Sequence, residues 1–296
     1  MALEPDRWSR WLLERRDAGD ERQRSAILDR LAPVRERVLA HAEPLDGATL
    51  LDVGTGDGLI GLEALDRVGP QGTVIFSDIS DALLGHVHAA VSERGLLDRA
   101  QFISTRAEDL AEIPAATVDV VTTRSVLIYV TEKALALAAM ERVLRPGGRI
   151  SLFEPINSLM YPEPADRFWG YDVSAVSDLA DKVKASYRGL SEPASAAMLD
   201  FDDRDLVELT EAAGFGRIHM ECHLDVEAGA HMRAISIEAL LDSAPNPLAP
   251  TARESIAAAL TESEQERFVG HLARAIDAGE RLRRSAVAYL VASKPG

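Results

Sequence analysis

Residues 50–58 read LLDVGTGDG, a short apolar run that stops at three glycines alternating with small polar residues. The residues leading into it (ATLLDV, 48–53) suit a buried strand, and residues 59–68 suit a helix stopped by Gly69, Pro70 and Gly72. A strand, a turn without side chains and a helix start together aim backbone amides at a ligand, and glycine lets that ligand come close. The alternation continues outward. TVIFSD (73–78), AQFIST (100–105), VDVVTT (118–123) and RISLFE (149–154) read as strands. Residues 81–95, ending at Gly95, and EKALALAAMERVL (132–144) read as helices between them. This is the βαβ rhythm of a parallel, doubly wound sheet.

The rhythm breaks on both sides. Residues 1–43 are helical by the spacing of Trp8, Trp11, Leu12, Ile27, Leu28, Leu31, Val34 and Val38, with Gly19 between two helices. Residues 155–200 carry Pro155, Pro162, Pro164 and Pro193 among aromatics. A helix over 203–213, a strand over 218–226, a mostly helical stretch over 230–282 and a last strand over 285–293 follow.

Composition limits the classes of function. The chain has 296 residues, 47% hydrophobic and 27% charged, enough to bury a core without staples. Lys plus Arg number 32 against 48 Asp plus Glu, a formal charge of −16. That balance argues against a nucleic-acid substrate, whose phosphates need a basic face. The single cysteine, Cys222, excludes an internal disulfide and a multi-cysteine zinc site, and a lone thiol fits a reducing cytosol, so a cytoplasmic protein is expected. The charged N-terminus and the lack of any apolar run of about 18 residues lead us to expect neither a leader nor a membrane span.

Asp78 closes the second strand about 20 residues beyond Gly58, where dinucleotide-binding folds place the acid that accepts from ribose hydroxyls. Gly56-x-Gly58-x-x-Gly61 matches the nicotinamide fingerprint, but the first glycine after the strand is Gly54, and Leu59 then falls at the third glycine position. That reading needs a shifted turn. The other reading is an acid, Asp52, followed by Gly54, Gly56 and Gly58, which resembles the first motif of class I S-adenosylmethionine-dependent methyltransferases. FSDIS (76–80), STRAEDL (104–110), VDVVTTRSVLIYV (118–130), RVLRPGGRI (142–150) and LDFDDRDLVELTEAAGF (199–215) resemble later segments of that family, so the likeness covers about residues 47–225 plus the last strand.

The resemblance implies an α/β fold: a doubly wound, Rossmann-like, seven-stranded sheet with its last strand antiparallel, plus a helical cap from the N-terminus and insertions. On that frame the chain divides into an N-terminal helical cap (1–46), a cofactor-binding core (47–154), a cap insertion (155–200), the C-terminal part of the core (201–229 and 283–296) and a helical insertion before the last strand (230–282). The implied cofactor is S-adenosyl-L-methionine, with S-adenosyl-L-homocysteine as product. Gly54, Gly56 and Gly58 would pass its methionyl and ribosyl part, Asp52 would organise the turn or reach the ammonium, and Asp78, followed by Ile79, would bind the ribose diol. Ala107, Glu108 and Asp109 would border adenine, and Arg124 with Ser125 would lie near the methionyl group. One departure stands out: many relatives carry Asp just before that Ala, and here the residue is Arg106.

The expected reaction moves a methyl group to an O, N or C atom of a small organic acceptor by in-line displacement. The alternatives are a protein of this fold that binds the cofactor without methylating, as a binding module or rearrangement catalyst, and a nicotinamide-dependent reductase. Thr123-Arg124-Ser125-Val126 lacks the proline pair and aromatic of amino-methylating DNA enzymes. His231, Arg124 and Tyr161 form the candidate catalytic set, with His231 as base. His86 and His88 fall on a helix of the cofactor half, and His219 and His223 share one face of a strand, where structural roles are expected. Glu154, Asn157, Tyr161, Phe168, Trp169 and Tyr171 suit a wall around the acceptor or the packing of a lid, as do Trp8 and Trp11. No metal, nucleic-acid or membrane partner is expected, and a homodimer is left open.

Overall fold

The computed structural model describes residues 4–16, 21–190, 193–228 and 236–296. Strands β1 (Thr49–Val53) and β2 (Thr73–Asp78) are apolar and buried along almost their whole length, as strands covered on both faces must be. With β3 (Ala100–Ser104), β4 (Val118–Arg124) and β5 (Leu144–Pro155) they pair in parallel. β8 (Ile218–Ala228) and β9 (Leu282–Ser293) complete a seven-stranded sheet of order β3-β2-β1-β4-β5-β9-β8, in which β9 runs antiparallel to both neighbours. Strand order reverses between β1 and β4, so their carboxyl ends open the crevice where such sheets take ligands. A two-stranded ribbon, β6 (Arg167–Phe168) and β7 (Tyr171–Asp172), lies apart from it.

The two faces of the sheet divide the core by strand parity. Leu50, Val74, Phe76, Val120, Phe153 and Tyr289 pack against α2 (Glu21–Ala42), α3 (Gly61–Arg67) and α4 (Asp81–Glu93). Leu51, Val53, Val121, Leu152 and Leu290 pack against α5 (Lys133–Val143) and α7 (Asp203–Ala212). α6 (Ser177–Leu190), α8 (Ile237–Asp242), α9 (Ala252–Ala259) and α10 (Glu262–Asp277) build a third core of their own, in which Phe168, Tyr171 and Val183 meet Leu240, Ile256, Phe268 and Leu272.

The proline-rich and the helical insertions share that third core. The N-terminal helices also split in role. Val38, Leu39 and Ala42 of α2 belong under the sheet, whereas α1 (Arg7–Arg10) and the wider π turn after it, Trp11–Arg15, leave the sheet for the crevice. Gly19 and His231 lie outside the described residues. The fifth strand is longer than its apolar stretch because it takes in Leu144 and RPGG (145–148), an irregularity unpaired with β4, and the last because Arg283 and Arg284 pair with β8. Among the described residues no helix is long and apolar enough to cross a membrane.

Candidate active site

β1 delivers Asp52 at its buried end, where the carboxylate accepts from Thr55 Oγ1 (2.7 Å), Gly61 N (3.1 Å) and Thr122 Oγ1 (2.8 Å). It ties the turn to the start of α3 and to β4. Burial pushes its pKa up to about 6, against the three bonds that hold it down. The turn itself needs glycine: Gly54 and Gly56 have φ of +63° and +58°. A Cβ on Gly54 would stand 2.4 Å from Val126 Cγ2, and one on Gly56 would stand 3.0 Å from Leu12 Cδ2. The turn after β4 and the N-terminal segment thus approach the two glycines closely, and both glycines also line the cavity.

Asp78 ends β2 beside that turn. Its Oδ2 accepts from Gly56 N and its Oδ1 from Ser80 N, each at 2.9 Å. Each oxygen keeps lone-pair capacity toward the crevice. Burial raises its pKa, opposed by those amides. Ile79, next to it, is 50% exposed, an apolar surface left open inside the crevice.

The N-terminal segment closes over these residues. Asp6 caps α1 and accepts from Ser80 Oγ at 2.5 Å, Trp8 meets Tyr129 edge to face at 5.0 Å between centroids, and Trp11 Nε1 donates to Ala244 O at 3.1 Å. Arg16 pairs with Asp57 of the glycine turn at 3.1 Å. A cavity of about 1560 Å³ runs beneath, from the turn to the third core.

Gly54, Gly56, Asp78, Ile79, Ala107, Glu108, Arg124, Ser125 and Tyr161 all line this one cavity. Asp52, Gly58 and Asp109 do not: Asp52 is spent on the turn, and a Cβ on Gly58 would meet Leu62 and Val87 behind it. Glu108 pairs with Arg106 at 2.8 Å. Of the aromatic wall, Tyr161 and Trp169 face the cavity with Asn157, whereas Phe168 and Tyr171 are buried in the third core. Trp8 and Trp11 are lid residues. His219 and His223 contact Glu221, with Arg37 reaching His223 from α2, away from the cavity.

Ser125 sits at φ +55°, a conformation that costs a non-glycine residue energy and turns the chain sharply after β4. Glu154 holds that turn. Completely buried, it accepts from Val126 N (2.9 Å) and Leu127 N (3.0 Å) at Oε1 and from Ile128 N (3.2 Å) at Oε2. Burial pushes its pKa up to about 7, opposed by the three amides. Glu154, expected in the acceptor wall or in the packing of a lid, is a buried anchor of this turn, and an acid at the end of an otherwise apolar strand was the available signal. Burial lowers the pKa of Arg124, with Asp57 acting in the opposite direction, and no hydrogen-bond partner meets its guanidinium among the described residues. Burial and then Glu163 raise the pKa of Tyr161, so it keeps its proton at neutral pH.

The geometry fits a nucleoside cofactor: a diol-competent acid, an open apolar surface beside it and a turn of bare backbone share one crevice. Comparison with known proteins agrees. The family model of the ubiE/COQ5 methyltransferases matches residues 32–234. The chain is 34% identical over 215 residues to nocamycin O-methyltransferase of Saccharothrix syringae, covering 71% of this chain and 72% of that one. It is 33% identical over 175 residues to the ubiquinone/menaquinone biosynthesis C-methyltransferase UbiE of Teredinibacter turnerae, covering 58% and 68%. In fold it is similar to phosphoethanolamine N-methyltransferase 2 of Haemonchus contortus, solved with S-adenosyl-L-methionine, at TM-score 0.51 and 17% identity over 90% of this chain and 53% of that one. The nicotinamide reading falls with these matches, and the chain belongs to the ubiE/COQ5 methyltransferase family as an S-adenosyl-L-methionine-dependent methyltransferase of small molecules.

Proposed function

We propose that the cofactor lies along Gly54 and Gly56 with its ribose on Asp78, its adenine between Ile79 and Ala107–Glu108, and its methionyl end toward Arg124. Asp52 then acts on the turn and not on the ligand. When bound, the cofactor supplies an already activated methyl group, so the protein's task is alignment. Glu154 and Ser125 fix the turn that carries Val126 to Tyr129 into the cavity, and Trp8 and Leu12 keep water from it. The acceptor occupies the remaining volume, against Tyr129, Tyr161 and Trp169.

The observation that carries this reading is the single cavity joining Asp78 and Ile79 to the aromatic wall. We place the reacting atom as oxygen, because the O-methyltransferase relative is similar over a larger share of the chain than the C-methyltransferase relative. Labelled cofactor, incubated with candidate acceptors and followed by product spectroscopy, tests it: an oxygen-bound methyl is expected, and a carbon-bound one overturns it. A homodimer belongs to this proposal through edge strand β8, whose Leu224 and Val226 are 59% and 55% exposed. Light scattering checks it. A cytoplasmic location, suggested by the lone cysteine, is checked by fractionation.

A further inference from the structure

Among the described residues, the charge lining the cavity is opposite to that of the chain. Overall the protein carries 32 basic against 48 acidic residues. Among the described residues the cavity is lined by eight arginines and three carboxylates. Those carboxylates are engaged: Asp78 with Gly56 N and Ser80 N, Glu108 with Arg106, and Glu163 with Trp169 N and Gly170 N.

Three of the arginines, Arg30, Arg281 and Arg283, come near one another. β9 pairs Val287 with Pro155, the last residue of β5, so its first residues run on beyond the carboxyl ends of the parallel strands. This carries Arg283, and Arg281 just before the strand, to the cavity. α2 packs against β9: Arg37 lies over the Tyr289 ring at 5.0 Å, and Arg30, two helical turns earlier, reaches the cavity. Arg281 is fixed by its bond to Trp169 O (3.0 Å), and Arg283 touches Glu227 at 3.4 Å. Arg30 has no hydrogen-bond or ion-pair partner among the described residues. Arg30 lines the cavity while staying exposed to solvent, and its pKa is lowered, by desolvation first and then by repulsion from Arg283, Arg281 and Arg16. With Glu227 on Arg283 as the one carboxylate meeting these three arginines among the described residues, the gathered like charges favour an anion joining them.

We propose that Arg30, Arg281 and Arg283 form an anion subsite, and that the acceptor is a largely apolar organic acid whose oxyanion is held there. The apolar body then lies against Trp8, Tyr161 and Trp169, and the acidic outer surface makes the cavity the favoured place on the molecule for a negative head group. The proposal rests on reading the cavity as the acceptor chamber beside the cofactor.

Naphthoate and its neutral isostere naphthamide are the probes, titrated by calorimetry into the full chain with and without S-adenosyl-L-homocysteine. Naphthoate is expected to bind about tenfold more tightly or better, the scale of one charge-assisted hydrogen bond. Arg30→Gln and Arg283→Gln each reduce that preference, the double variant abolishes it, Arg30→Lys retains most of it, and surface Arg94→Gln leaves it intact. Equal binding of the two probes by the wild type, or a preference surviving in the double variant with a wild-type melting curve, overturns the subsite. Should S-adenosyl-L-homocysteine fail to bind while the naphthoate preference holds, the cofactor placement falls and the subsite stands.

Discussion

Asp78 accepts from the turn before it and from the helix cap after it, so its carboxylate is aimed before any ligand arrives. Asp78→Ala is expected to cost about 1–3 kcal/mol of S-adenosyl-L-homocysteine affinity, read by calorimetry, because the diol loses its charged partner. Burial shifts Glu154 and Asp52 upward: their folded values, about 7 and about 6, lie above the ordinary 4.5 and 3.8. The folded state thus binds these protons more tightly than the unfolded chain. The stability they contribute is full below the ordinary values and is lost as pH rises through about 6 and 7. Denaturant unfolding measured across that window should show stability falling with pH, and Glu154→Gln, which cannot titrate, should flatten the fall. An unchanged slope would assign it to other groups. Asp78 and the glycines were legible because the chemistry of a ribose and a bare turn demands particular residue types. Glu154 was not, since three amides from a distant turn converge on it only in the folded chain.

Among the elements, the parallel strands and their helices were readable from apolar runs and glycine stops, because burial on both faces leaves a local signature. The two-residue strands β6 and β7 and the π turn at Trp11–Arg15 leave none, being set by what they pack against. The N-terminal segment is held by contacts to three elements: the cap of α4, the glycine turn and the loop after α8. Few of its side chains enter a core. Trp11→Ala is therefore expected to speed S-adenosyl-L-homocysteine release severalfold in stopped-flow experiments while moving the melting temperature by only a few degrees. A large fall in melting temperature would make Trp11 a core residue.

Across the whole molecule, composition concealed the most informative electrostatic feature. A formal charge of −16 averages over a surface, and only folding brings Arg30 of the second helix to Arg281 and Arg283 at the start of the last strand and just before it. The third core is also a property of the complete chain. Phe268 is fully buried there against Phe168, at 5.4 Å between centroids. Phe268→Ala is expected to cost about 3–5 kcal/mol. Hydrogen exchange should show the amides of α6, α9 and α10 losing protection together while β1, β4 and β5 keep theirs; uniform loss would mean that the layers do not open separately.

That shared core also governs how such a protein can be re-engineered. Phe168 and Phe268 belong to stretches of chain separated by strand β8 and helix α7, yet neither stretch has an apolar face that closes without the other. A chimera importing one stretch from a cousin with different acceptor preference inherits a mismatched seam. Recombination must exchange the two as a matched pair, by a double crossover that leaves the nucleoside half untouched.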